Sequence, residues 1–149
     1  MENRSFTALV EYRQPSYEEL KKQFDCVYDR FENREFKTID ACKDIGRETR
    51  EIIFELVQVA DRRFVGDAMA RLLNQGLRPA LYEEMLAFAA KFPDEQKKYP
   101  IYALGSRCDR AGDSHPPFLD WDEEDGRLLL FGWSSLRPAE SIHFLAVRS

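Results

Sequence analysis

Apolar and polar residues alternate at position 6 and recur with a helical period from position 17. Phe6, Ala8, Val10 and Tyr12 fall on one side of an extended run and Thr7, Leu9 and Glu11 on the other, which predicts a strand with one buried face. Pro15 ends it, and Ser16 followed by Glu19 makes the S-x-x-E pattern of a helix start. Tyr17, Leu20, Phe24, Val27 and Phe31 then recur at spacings of three and four, giving a helix with one narrow apolar stripe. Thr38 is read as the cap of a second helix whose buried face is Ile45, Ile52, Ile53, Leu56, Val57 and Ala60, with Gly46 weakening its first turns by about 1 kcal/mol relative to alanine. A further helical segment carries Ala68, Met69, Leu72 and Leu73 and stops at Asn74-Gln75-Gly76, where glycine suits a left-handed cap. The pattern leaves open whether residues 38–75 hold one helix or two. Pro79 is read as the first position of the next helix, built by Leu81, Tyr82, Met85, Leu86, Phe88, Ala89 and Phe92.

From Tyr99 the period shortens to extended runs separated by Gly, Pro and Asp. Residues 101–104 read as a strand ending at Gly105, and residues 118–121 and 127–133 flank an Asp125-Gly126 hairpin signal. Leu128–Phe131 and Ile142–Val147 are apolar on both faces, which marks them as central strands. The expected fold is therefore one α+β domain over residues 1–149, with a helical block at about 16–92 and a strand block at about 99–148. It has an antiparallel sheet of four to five strands under a single layer of three to four helices. The first strand is expected to insert beside a C-terminal strand, because everything between reads as helical. One helical layer leaves an apolar sheet face open, so a homodimer is expected.

Gly76-Leu77-Arg78-Pro79-Ala80-Leu81-Tyr82-Glu83 resembles the G-W-R-L-P-T-x-x-E segment of formylglycine-generating-enzyme-like members of the C-type-lectin-like superfamily. The order of elements is similar as well. The resemblance implies a binding or scaffold fold in which the first and last strands pair. The chain lacks the Leu between Arg and Pro, has Ala80 in place of Thr, and carries no G-G-S-W and no match to that family's enzymatic cysteines. The same residues also suit a glycine that ends one helix and a proline that starts the next.

Charge narrows the partners. The net charge of −5 comes without a basic block, which argues against nucleic acid. No run of about 18 apolar residues occurs and no apolar core follows Met1, so neither a membrane span nor export is expected. Cys26, Cys42 and Cys108 are odd in number and sparse, which suits a reducing cytoplasm, and with His115 and His143 they give no zinc spacing. No metal or cofactor is expected.

Most of the net charge lies in residues 107–127, where seven acidic residues face three arginines. Asp120 to Glu124 place oxygens at alternate positions, but Asp125 and Phe131 stand where a calcium loop needs Gly and Glu. The candidate ligand site is the long aperiodic loop from Gly105 to Pro117, with Trp121 and Trp133 as walls and Asp109 and His115 as polar contacts. A non-enzymatic module binding a small molecule or a partner protein is the leading reading. A small hydrolase or transferase using Cys108 or His115 is the second, and an acidic immunity-like or antitoxin-like inhibitor of a basic partner is the third.

Overall fold

The computed structural model describes residues 4–32, 34–58, 65–110, 112–133 and 135–148. In chain order the elements are β1 (Arg4–Val10), α1 (Tyr17–Gln23), β2 (Cys26–Val27), β3 (Lys37–Thr38), β4 (Arg50–Gln58), α2 (Val65–Asn74), β5 (Leu77–Pro79) and α3 (Tyr82–Lys91). They continue as α4 (Glu95–Lys98), β6 (Ile101–Tyr102), β7 (Ser106–Arg110), β8 (Asp113–His115), β9 (Pro117–Asp122), β10 (Gly126–Phe131) and β11 (His143–Arg148). The class is α+β, but the main sheet has eight strands among the described residues, not four or five. Its order is β1-β4-β11-β6-β9-β10-β2, with β5 also paired to β11, while β3, β7 and β8 form a small second sheet.

The largest departure from the sequence reading is β4, which replaces the second helix. Ile52, Phe54 and Leu56 are buried and Glu51 and Ile53 exposed, a period of two. Ile52, Ile53, Leu56 and Val57 also satisfy a helical period, and the β-branched and aromatic run Ile-Ile-Phe favours the strand. Ala60, the last residue of the expected helical face, lies outside the described residues.

Once β4 is a strand, β1 pairs with it along its whole length, from Arg4↔Leu56 to Val10↔Arg50. β11 takes the other side of β4, from His143↔Gln58 to Val147↔Phe54. The first strand therefore does not insert beside the C-terminal block, and the first and last strands do not pair. β11 is central as expected, whereas β10 stands one strand from an edge.

Two helix boundaries also move. The Ser16–Glu19 capping box forms, but α1 ends at Gln23, and Val27 and Phe31 reach the core from β2 and a short 3-10 turn. Pro79 lies in β5, opposite Ala146 of β11, and α3 begins three residues later. The expected hairpin forms between β9 and β10, with Gly126 at φ 78°, a conformation only glycine adopts freely. The expected loop after Gly105 is largely a second hairpin, made by β7 and β8.

Helices lie on both faces of the sheet, not in one layer. On one face Phe6, Val10, Phe54, Leu145 and Leu129 pack with Leu20 and Phe24 and with Met85 and Phe88 of α3. On the other face Phe144, Tyr102 and Phe118 pack with Met69 of α2 and with Trp133, and Leu72 covers Leu77 and Ala146. The premise behind a homodimer, an open apolar face, therefore fails over β11 and β6. Leu9 and Ile53 at the β1–β4 corner stay exposed. Among the described residues no helix is long and apolar enough to cross a membrane.

Candidate functional site

The four residues picked from sequence are not gathered in one place. Phe118 and Trp121 are three apart on β9 and so point to opposite faces. Trp133 stacks on Tyr102, which stacks on Phe118, with centroids 4.6 and 4.5 Å apart, so it belongs to the Phe118 face. Trp121 is opposite Arg127 on the other face, with Lys97 5.6 Å from its ring. The two tryptophans thus form no common wall. Asp109 is exposed on β7, opposite Ser114, and its carbonyl accepts a bond from Arg34. His115 is half-buried, 6.3 Å from Phe131.

The β7–β8 ladder does place Cys108 directly opposite His115. Residues so paired present side chains to the same face. Burial pushes the Cys108 thiol up, Arg34 opposes this and Asp109 adds to it, which disfavours the thiolate. A thiol held protonated is a poor nucleophile. His115 Nδ1 is buried with no hydrogen-bond partner among the described residues. The cysteines are free, and no group of three His, Cys, Asp or Glu among the described residues could hold a metal ion.

A more ordered arrangement lies at the start of α3. Glu84 is fully buried and accepts both Arg78 guanidinium nitrogens (2.9 and 2.7 Å), the Tyr12 hydroxyl (2.7 Å) and the Leu81 N–H (2.8 Å). Burial pushes the Tyr12 phenol up, and the bond to Glu84 and its charge push it further. Burial works against the Arg78 charge, but Glu84 outweighs it and holds the guanidinium above its ordinary value. The Ser106 hydroxyl accepts from Tyr82 N–H, satisfying an opening donor of α3 from another strand. Gly105 allows this approach: its N–H donates to the Ala80 carbonyl at 2.8 Å, and a Cβ there would lie 2.6 Å from that oxygen.

This network ties the start of α3 to β5 and to the segment that follows β1, and a groove of about 310 Å³ lies between α3 and that segment. Leu86, Ala87 and Ala90 of α3 and Leu9 of β1 supply its apolar surface, and Glu11, Arg13, Glu19, Gln23 and Glu83 its polar surface. Arg13 pairs with Glu19 at 2.7 Å, which together with the Ser16 N–H holds the Glu19 carboxyl down to about 2. Arg47 pairs with Glu83 at 3.0 Å. Glu11 has no hydrogen bond or ion pair of its side chain among the described residues.

The groove runs along an unpaired strand edge. Among the described residues β1 pairs only with β4. Its Thr7 carbonyl instead accepts Lys91 Nζ of α3 at 2.6 Å, so Thr7 faces away from β4, and by the period of two so do Ser5 and Leu9. Leu9 is 59% exposed at this edge. Sequence reasoning assigned Leu9 only to the less buried side of a strand. What could have flagged it is a large aliphatic residue on the polar side of a strand that nothing in the chain is left to cover.

No protein-family profile matches the chain, and no curated protein or solved structure matches it either.

Proposed function

We propose that the protein is a non-enzymatic binding module that takes up an extended segment of a partner protein along the edge of β1 that no strand pairs, the incoming backbone displacing Lys91 from the Thr7 carbonyl. The observation that carries this reading is the coincidence of an unpaired edge, an exposed leucine and an adjoining groove. An unpaired edge offers backbone donors and acceptors to an added strand, and neighbouring pockets select alternate side chains. The groove has three carboxylates against one arginine, and Glu11 has no direct ion-pair partner among the described residues, so the preferred segment alternates basic and aliphatic residues. The burial of Cys108, which pushes its thiol up, weighs against the hydrolase reading.

An eight-residue peptide alternating lysine and valine is the probe, followed through the backbone amide resonances. Saturable shifts are expected at Ser5, Thr7 and Leu9, and none with a proline-interrupted control. The Leu9 N–H points away from β4, so Leu9→Pro spares the β1–β4 ladder while removing a donor from the edge. It is expected to weaken binding at least tenfold with the fold intact. Shifts confined to the β9–β10 hairpin, or none at millimolar peptide, would reject the proposal.

A further inference from the structure

Five arginines are half-buried among the described residues: Arg50, Arg78, Arg107, Arg127 and Arg137. Four of them have acceptors. Arg78 meets Glu84, Arg137 meets Asp120, Arg50 meets Glu48 and the Gly46 carbonyl, and Arg127 meets the carbonyls of Gln23 and Ala89. Arg107 alone makes no hydrogen bond or ion pair there.

Its surroundings aggravate the imbalance. The β3–β7 register sets Lys37 directly opposite Arg107, two cations abreast on one face. Like charges so placed repel. Burial pushes the Arg107 guanidinium down, and no neighbouring carboxylate counters this. Asp109 shares that strand face two residues along, but it makes no ion pair with Arg107, and Arg34 bonds its carbonyl. A cation taken partly out of water is costly unless an anion accompanies it.

We propose that Arg107 and Lys37 form a binding site for a phosphate dianion, either free or as a monoester. Two adjacent cations match its double charge, and the planar guanidinium can give two parallel N–H bonds to two of its oxygens while the ammonium meets a third. The site is separate from the β1 groove and does not depend on what binds there.

The test follows the Arg107 Nε–Hε resonance during titration with inorganic phosphate, and separately with O-phosphoserine, at ionic strength held constant with chloride. A saturable shift is expected with both if the dianion itself is recognised. Tighter binding of phosphoserine would identify a monoester as the source, and equal binding the free ion. Lys37→Gln, at an exposed position, is expected to weaken binding about fivefold. Arg107→Gln should abolish it and leave thermal stability unchanged or raised in phosphate-free buffer, because it removes an uncompensated charge. A shift that never saturates or that chloride reproduces means an adventitious ion only and overturns the proposal, as does unchanged binding in Lys37→Gln.

Discussion

Glu84 and Asp120 are both carboxylates taken out of water and paired with an arginine, yet they do different things for the molecule. Glu84 collects four hydrogen bonds from the segment after β1, from β5 and from the start of α3, and its partners Arg78 and Tyr12 have their main acceptor in it. Asp120 accepts Arg137 Nε at 2.7 Å and the N–H of its own neighbour Trp121 at 2.9 Å. Arg137 meanwhile also donates to the carbonyls of Lys97 and Gln96 at the end of α4. One carboxylate is the hub of its network; the other is one of three acceptors around an arginine. The hub stands next to Glu83 of the groove wall, so the region proposed to bind is backed by a buried carboxylate with four hydrogen bonds. The hairpin end, which carries more surface charge, has the looser arrangement.

Glu84→Gln tests that contrast with the largest effect. The amide keeps the shape but leaves Arg78, whose side chain is 15% exposed, without its anion and with the Pro79 carbonyl and one amide oxygen as acceptors, and a loss of about 3–5 kcal/mol is expected in chemical denaturation. Asp120→Asn should cost less, about 1–3 kcal/mol, because Arg137 keeps two carbonyl acceptors. Equal losses in the two variants would show that hub and spoke are not distinguished. Tyr12→Phe removes a single bond to Glu84 and is expected to cost about 1 kcal/mol while leaving the groove in place. A loss as large as that of Glu84→Gln would make Tyr12 a second hub.

How far the sequence discloses this follows the same division. Local signals were legible: the Ser16–Glu19 cap, the glycine end of α2, the Asp-Gly hairpin and the apolar β11 each depend on a few adjacent residues. The β4 segment was not, because Ile52, Ile53, Leu56 and Val57 fit both periods and only pairing with β1 and β11 on its two sides decides between them. That one segment hid the sheet size, the neighbour of β1 and hence the free edge. The Glu84 hub was hidden for a related reason. An acidic pair at a helix start is explained by the helix dipole, and nothing local reveals that Glu83 turns to the groove while Glu84 turns to a half-buried arginine. The tryptophans misled because nearness in sequence across a hairpin says nothing about which sheet face each occupies.

The smallest effect concerns acid, and it separates the two ends by their order of loosening. His143 opens β11 beside α4, stacked on Tyr99 with centroids 3.6 Å apart, and its Nδ1 lies 2.8 Å from the Ser141 carbonyl. Burial holds its pKa below the ordinary value, against the opposing pull of the Ser141 bond and of Glu95. An unfolded histidine titrates near about 6.5, so on acidification the unfolded chain takes up this proton before the folded one does. Stability from this group is therefore complete above that value and is lost as pH falls through the window beneath it, down to the depressed folded value. His143→Asn should flatten this part of the profile relative to the unaltered protein, while both still lose stability at lower pH as carboxylates protonate. Hydrogen exchange between pH 7 and 5.5 should show protection falling first at Tyr99–Tyr102 and the start of β11, with the Tyr12, Arg78 and Leu81 amides unchanged. Earlier loss at the Glu84 end would reverse the ranking of the two regions.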